Sequence, residues 1–598
     1  MGAFVGVGIP RNAKPSKQQP ARQTGKTREQ LLYMQSLMTR ALAQYEAGRF
    51  AEVEPLSLKV LAVDAHHADA LYVLGMAAFK TGRFELAVRM IGRAIAVNDR
   101  QPFFHANLGN ALQAQGKTDE AVVSLERALA INPNHVEACF NLGNIYFVQK
   151  KYDEAAACFK RAVGARPEYA DAWCNLGNVL KTQRKLDESV DSYEHALALL
   201  PDHPDLYCNL GDALHLRGNL EEAVTCFKRT MALNPDHSKA CNCLGNAYFD
   251  KGMLKESVAH CARAVELSPE FYDAQMNVSL LQLLQGEYLS GWRNYEVRWK
   301  VYPARQVDRP LWQGAAAPDG PASPAARIQG RRILLHTEQG LGDSIQFLRY
   351  VPLVHAAGGT VVLDVPPRLR RLAAQLPGVA ALVTTGDPLP PFDCHCPLMS
   401  LPQAFATTLD TIPARVPYLA APAEALQAAA TLPWHEGVMR IGLTWTGNPS
   451  HPKNWSRTIP LALLEPLFKL DGAHFFSLQM GPAVAELAAA KADITDLAPV
   501  TGDMADTAAQ MAHLDLILTV DTSIAHLAGA LGKPTWLLLP ALPDWRWLLE
   551  REDSPWYPTV RLFRQPKAGD WQSVVEALQR ALLERLAPLE KLAQGIAE

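Results

Sequence analysis

Small and apolar positions in the first half of the chain recur every 34 residues. Gly75, Gly109, Gly143, Gly177, Gly211 and Gly245 keep that spacing without a slip, and so do Pro133, Pro167, Pro201, Pro235 and Pro269. Ala94, Ala128, Ala162, Ala196 and Ala264 mark a second small position, interrupted by Thr230, and Leu125, Phe159, Tyr193 and Phe227 mark a large one. A small residue at a crossing lets two helices approach, and the proline ends the second helix of each pair. The pattern predicts seven helical hairpins and a capping pair over residues 34–300. The first, degenerate hairpin lies near 34–67, where Gly48 aligns with Gly82, and the capping pair runs through GEYLSGWRNYEVRW, where Gly286 aligns with Gly252. Stacked hairpins form a superhelix with an extended concave face.

After a Pro-, Ala- and Gly-rich stretch at 301–330, which reads as a linker, the periodicity changes. RRILLHTE is a short apolar strand, followed by a glycine turn and the helical stretch DSIQFLRYVPLV, which Pro352 is expected to kink. TVVLDV and AALVTTGD are further strands with a helix between them. A second set begins at RIGLTWTG and continues through HFFSLQ, ITDLA, LILTVD and TWLLLP. Strands alternating with helices imply parallel sheets, and two such sets imply two Rossmann-like lobes facing a cleft. The expected organisation is a disordered segment at 1–33, repeats at 34–300, the linker at 301–330, a first lobe at 331–430 and a second at 431–598, with a terminal helix near 570–588.

Composition narrows the function classes. A net charge of −3 with 20% charged residues offers no basic face for nucleic acid. No run of 18 apolar residues occurs, so no membrane span is expected. The opening MGAFVGVGIP lacks the basic flank of a secretion signal. Ten cysteines, eight of them between Cys139 and Cys261, follow the repeat and show no framework spacing of their own. They read as small buried hydrophobes in a reducing cytoplasm.

Within the repeats, Asn107, Asn141, Asn175, Asn209 and Asn277 share one register, which Cys243 interrupts. A second row, Asn110, Asn144, Asn178, Asp212 and Asn246, follows each glycine. A ladder of side-chain amides can hold an extended peptide by its backbone, and equally can bridge neighbouring repeats.

Three constellations in the second half carry chemistry. Gly340-Leu341-Gly342-Asp343 closes the first strand, where glycines admit a ligand and the acid faces the cleft or caps a helix. A dinucleotide fingerprint is incomplete here, because Ser344-Ile345 stands where its third glycine belongs, although Asp364 imitates its ribose-binding acid. LILTVD runs into Asp521-Thr522-Ser523-Ile524-Ala525-His526, a hydroxyl-bearing helix start suited to a diphosphate, or a capped helix with a core histidine. Trp445-Thr446-Gly447-Asn448-Pro449, with Lys453 and Arg457 behind it, brings cations to the start of the second lobe. His336 reads as a cleft wall, Trp545 and Trp547 as a pocket wall or core, and Cys394-His395-Cys396 offers too few ligands for zinc.

The 34-residue pattern resembles tetratricopeptide repeats, and its first asparagine row resembles the ladder in the repeats of O-linked N-acetylglucosamine transferase. The second half, through DTSIAHLAGALGKP, GLGD and FDCHCPLMSLP, resembles GT-B glycosyltransferases of the heptosyltransferase kind over residues 331–585. That resemblance implies Asp343 as base and Gly340, Gly342, Asp521, Thr522, Ser523 and His526 around a nucleotide-diphosphate sugar. Lys453, ahead of Trp455, is the nearest match to a lysine on the donor phosphate, joined by Arg457. S-I-Q-F after Asp343 departs from the family's histidine-containing stretch, and the fused repeats favour a protein acceptor. The expected activity is inverting sugar transfer to a hydroxyl without a metal or other cofactor, since the second half has no Asp-x-Asp triplet. The alternative is a repeat scaffold whose transferase lobes bind a nucleotide sugar without turnover.

Overall fold

The computed structural model describes residues 26–302, 305–314, 327–449, 454–490 and 493–595, with side chains as far as 587. The chain forms two compact units that divide between Ala247 and Tyr248.

The first unit is all helical. Its hairpins include Arg28–Glu46 with Phe50–Val63, Ala68–Lys80 with Phe84–Val97, and Ala170–Thr182 with Leu186–Leu199. The first helix starts earlier than expected, at Arg28, because Thr27 and Gln30 form a capping box. The remainder of the expected disordered segment, residues 1–25, lies outside the described residues.

The glycine of each first helix faces the large residue of the second. A Cβ at Gly177 would stand 2.8 Å from the Tyr193 ring, at Gly143 2.9 Å from Phe159, and at Gly109 2.7 Å from Leu125. The hairpin turns use a left-handed residue, glycine at Gly48, Gly82, Gly116 and Gly218. At two turns a side chain occupies this conformation instead, with Lys150 at φ 61° and Arg184 at φ 62°.

The asparagine rows stitch neighbouring hairpins together. Asn141 Nδ2 donates to Asn110 Oδ1 at 2.6 Å, and Asn175 Nδ2 to Asn144 Oδ1 at 2.8 Å. Asn107 donates to the Tyr72 hydroxyl at 2.7 Å, and Lys239 donates to Asn209 Oδ1 at 3.1 Å. Asn107 and Asn141 are each only 2% exposed. The expectation of free amides awaiting a peptide is corrected at these two positions, because both side chains are buried and each donates to a neighbour within the array. Asn277 is half-buried and belongs to the second unit.

The second unit holds two parallel sheets. The first contains β1 (Arg332–His336), β2 (Thr360–Val365), β3 (Val379–Thr384) and β4 (Cys394–Pro397), in the order β3-β2-β1-β4. The second contains β5 (Met439–Thr444), β6 (Ala473–Ser477), β7 (Ile494–Asp496), β8 (Leu516–Val520), β9 (Thr535–Leu539) and β10 (Val560–Arg564), in the order β10-β9-β8-β5-β6-β7. Both orders reverse direction beside their first strand, between β1 and β4 and between β5 and β8. Such switch points open a crevice at the carboxyl ends of the strands. β4 and β10 are strands the sequence pattern did not reveal.

The helix after β1 is broken into Leu341–Phe347, a 3-10 turn at Leu348–Tyr350 and Val351–Ala356. The break precedes Pro352 by four residues, where the missing proline N–H leaves the Leu348 carbonyl without its helical partner. Part of the linker has structure: His395 N donates to the Pro310 carbonyl at 3.1 Å and Trp312 N to the His395 carbonyl at 2.8 Å. Residues 310–312 thereby cover β4, the edge of the first sheet. Residues 315–326 of the linker lie outside the described residues.

The capping pair, Tyr272–Leu284 and Tyr288–Tyr295, packs into the α/β core. Trp292 sits edge-on to Trp545 at 5.1 Å, and Trp556 Nε1 donates to the Tyr288 hydroxyl at 3.0 Å. Arg298, fully buried, donates from Nε and Nη2 to the Glu338 carboxylate at 3.0 and 2.9 Å and from Nη1 to Glu296. The terminal helix, Trp571–Gly595, covers the second sheet through Val574, Val575, Leu578 and Leu582.

Arg184→Gly is expected to stabilise the array by about 1 kcal/mol, since a side chain in the left-handed region costs roughly 1–2 kcal/mol that glycine does not. A higher midpoint of thermal unfolding is the expected result; an unchanged or lower one refutes it.

Candidate functional site

The site forms where the two switch points face each other. On the second lobe, β8 ends at Val520 and the chain turns through Asp521 into the Ser523–Ala530 helix. Thr522 caps that helix, its Oγ1 accepting from Ile524 N at 3.2 Å. The extended backbone at Thr522, φ −144°, is what a cap requires, and it leaves the first turn's N–H groups aimed out of the sheet.

The loop leaving β5 braces this turn. Gln479 Oε1, arriving from β6, accepts from Trp445 N and Thr446 N, both at 3.2 Å. Thr446 Oγ1 lies 2.7 Å from Thr458 Oγ1 and accepts from Asn454 Nδ2 at 3.1 Å. Arg457 lies flat against Gly447, where a Cβ would stand 2.8 Å from Nη2, and donates from Nη1 to the Asp521 carbonyl at 2.9 Å. Glycine at 447 is therefore what allows Arg457 to reach the helix start. Trp445 is fully buried, whereas Trp455 is 73% exposed. Lys453 lies outside the described residues.

The first lobe meets this turn at Gly342. A Cβ there would stand 2.7 Å from His526 Cδ2 and 3.4 Å from Ser523 Cα, so only glycine permits the approach. The next residue is Asp343. Its Oδ2 accepts from Gly340 N at 2.9 Å, and its Oδ1 accepts from Arg546 Nη2. The first-lobe acid and the second-lobe helix start thus share one cleft.

Arg546 was not among the residues singled out from sequence. It is buried, donates to Gln346 Oε1 from Nε and to Asp544 Oδ1 from Nη1 at 2.8 Å, and lies over the Trp545 ring at 4.2 Å. Its position between two tryptophans in DWRWLL was the available signal, since a cation flanked by aromatics is suited to burial. Arg349 is a second buried cation: it donates to the Trp556 carbonyl at 2.7 Å and lies 4.5 Å from the Tyr557 ring centre.

The electrostatics follow from crowding of charge. Burial, then the neighbouring Asp544 carboxylate, pushes the Asp521 carboxyl up to about 6, against the pull of Arg457 and Arg546. His526, with Nδ1 3.0 Å from the Tyr557 hydroxyl and its ring stacked on Trp547, is held neutral by burial and by Arg546, Arg349 and Arg457. Arg457 and Arg546 thus place two cations beside the hydroxyl-capped start of the Ser523–Ala530 helix.

Residues 477–538 match glycosyltransferase family 9 (heptosyltransferase). They run from the end of β6 through the Ser523–Ala530 helix to β9 and so include Asp521, Thr522, Ser523 and His526. Residues 38–102, 107–173 and 217–271 match one tetratricopeptide repeat family and 168–236 a second, so the helical array consists of tetratricopeptide repeats. Protein FlbA of Caulobacter vibrioides (strain ATCC 19089 / CIP 103742 / CB 15) is 27% identical over 332 residues, which are 50% of this chain and 53% of FlbA. The chain thus spans about half the length of this curated relative. Among solved structures, YrrB, a tetratricopeptide protein with an unusual peptide-binding site, is 24% identical and covers 31% of this chain and 97% of its own, with a TM-score of 0.30. PilF of Pseudomonas aeruginosa is 20% identical over 35% of this chain and 95% of its own, with a TM-score of 0.31.

The other sequence candidates lie apart from this cleft or belong to the core. His336 Nε2 is 3.2 Å from His395 Nδ1, and burial with that neighbour pulls it down to about 3. Asp364 is paired with Arg305 and accepts from Thr385 Oγ1 at 2.8 Å, so the acid that imitated a ribose ligand is already engaged. No cluster suited to a metal ion and no helix long and apolar enough to cross a membrane occurs among the described residues.

A group whose carboxyl is raised on folding contributes stability that is complete below its unfolded value near 4 and is lost as pH rises through about 6. Asp521→Asn is therefore expected to stabilise the second unit at pH 7.5 by about 2 kcal/mol, with the gain vanishing at pH 4. Thermal unfolding across that range checks it; a gain independent of pH would contradict the assignment.

Proposed function

We propose that the chain is a glycosyltransferase that moves a sugar from a nucleotide-diphosphate donor to a hydroxyl, with inversion and without a metal. The observation that carries this reading is the approach of Gly342-Asp343 to the start of the Ser523–Ala530 helix. It brings a carboxylate and an anion receptor to the same space from two lobes.

The chemistry follows from those parts. An acceptor hydroxyl is a weak nucleophile, and a carboxylate within hydrogen-bond reach removes its proton as it attacks. Asp343 takes that role, steadied by the Gly340 N–H. As the bond from the sugar to the donor's phosphate breaks, negative charge grows on the leaving nucleoside diphosphate. The helix start, the Thr522 and Ser523 hydroxyls and Arg546 stabilise it, with Lys453 as a further donor contact. Arg457 braces the receptor through the Asp521 carbonyl. His526, kept neutral, supplies a hydrogen-bonding wall without a competing charge. Attack from the face opposite the departing phosphate inverts the sugar carbon. The repeats support a protein or peptide acceptor rather than a free glycan. Ten free cysteines suit a reducing, cytoplasmic setting.

Calorimetric titration with a panel of nucleotide sugars, followed by a donor-hydrolysis assay, tests the reading. One donor is expected to bind and to hydrolyse slowly; binding without any turnover would favour a scaffold. Asp343→Asn should bind that donor at least as tightly and lose about 10²–10⁴-fold in transfer rate. An undiminished rate would remove the base assignment.

A further inference from the structure

We infer that Arg546 is an interlock between donor and base: it holds Asp343 before a donor binds and exchanges that carboxylate for the donor's diphosphate. The inference rests on the transferase reading and adds to it a residue and an order of events.

The guanidinium has three engaged arms, and they are not equivalent. Asp544 is two residues away on the same segment, and its Oδ1 also accepts from Arg546 N at 3.1 Å, so local geometry fixes this partner. Gln346 is fully buried. Asp343 alone is a charged partner from the opposite lobe, and its side chain retains 21% exposure. It is the partner an incoming anion can displace. Its second oxygen remains on Gly340 N, so a released carboxylate keeps its place and gains a free oxygen for the acceptor proton.

The surroundings favour the exchange. Arg546 lies close enough to Asp521 and His526 to act on both electrostatically, which places its charge beside the Ser523–Ala530 helix start. Its charge is balanced by Asp343 and Asp544. A diphosphate brings more charge than one carboxylate and is matched by a planar donor fork. While Oδ1 accepts from Arg546 and Oδ2 from Gly340 N, neither oxygen is open to the acceptor proton, so the pairing withholds deprotonation until the leaving group is seated. The acceptor oxygen then bonds to the sugar carbon as its proton passes to Asp343 Oδ1, and the electron pair of the broken carbon–oxygen bond leaves on the diphosphate now held by Arg546.

Inorganic pyrophosphate is the probe, titrated by calorimetry into the full chain and its Asp343→Asn, Arg546→Gln and doubly substituted forms. Asp343→Asn frees the guanidinium and is expected to tighten pyrophosphate binding by about tenfold. In the Arg546→Gln background the same change should tighten it by less than about threefold, the residue of simple charge repulsion. Equal effects of Asp343→Asn in both backgrounds, or no tightening in either, overturn the interlock. Should Arg546→Gln fail to fold, Arg546→Lys serves: it keeps the charge and loses the fork, and the gain from Asp343→Asn should shrink, whereas an undiminished gain refutes the proposal. A transferase that turns over normally but lacks this coupling would defeat the interlock alone. Coupling in a chain that turns over no nucleotide sugar would defeat the enzymatic reading alone.

Discussion

Gly342 against His526 is the contact on which the meeting of the two lobes depends. With no Cβ at 342, the backbone before Asp343 comes to within van der Waals distance of an imidazole at the start of the Ser523–Ala530 helix. A side chain at 342 would meet the His526 ring at 2.7 Å and require the ring or the lobes to shift. Everything else in the cleft presupposes that closeness: the Asp343–Arg546 pair spans it, and Arg349 reaches across to Trp556 and Tyr557. The switch points of two parallel sheets determine where such a meeting occurs, and the glycine determines how near.

A similar economy governs the repeats. Gly109, Gly143 and Gly177 each give up a side chain so that a Leu, Phe or Tyr of the partner helix fills the space. The polar counterpart is the asparagine row, whose amides satisfy one another between hairpins. A buried amide is stable when its donor finds a partner, and the repeat period supplies an amide acceptor from Asn110 to Asn141 and from Asn144 to Asn175. The array's register is therefore held by two independent signals, one of volume and one of hydrogen bonding.

Much of this was legible in the residues. The 34-residue period identified the hairpins and the small and large positions that repeat in step, though not which glycine faces which side chain. GLGD and DTSIAH were recognisable because a glycine turn or hydroxyl cap after an apolar strand has few other uses. The direction of the asparagine amides was not legible, since it depends on how one hairpin rotates onto the next. β4 was hidden because CHCP is four residues long, and β10 because VRLFR carries two arginines. Arg546 escaped for a deeper reason. Its partners Asp343 and Gln346 lie about two hundred positions away, and no local pattern records a contact closed only by the meeting of two lobes.

The helices that finish the repeat array are also walls of the α/β body. Tyr288 and Trp292 lie among Trp545, Trp556 and Phe347, and Arg298 ties the same segment to Glu338 just after β1. The Pro-, Ala- and Gly-rich stretch that looks like a natural seam is thus a poor place to cut. Severing there would strip an aromatic panel from the α/β body and leave a buried acid without its cation. The α/β half cannot be moved to another chain without taking the last helical turns before it along.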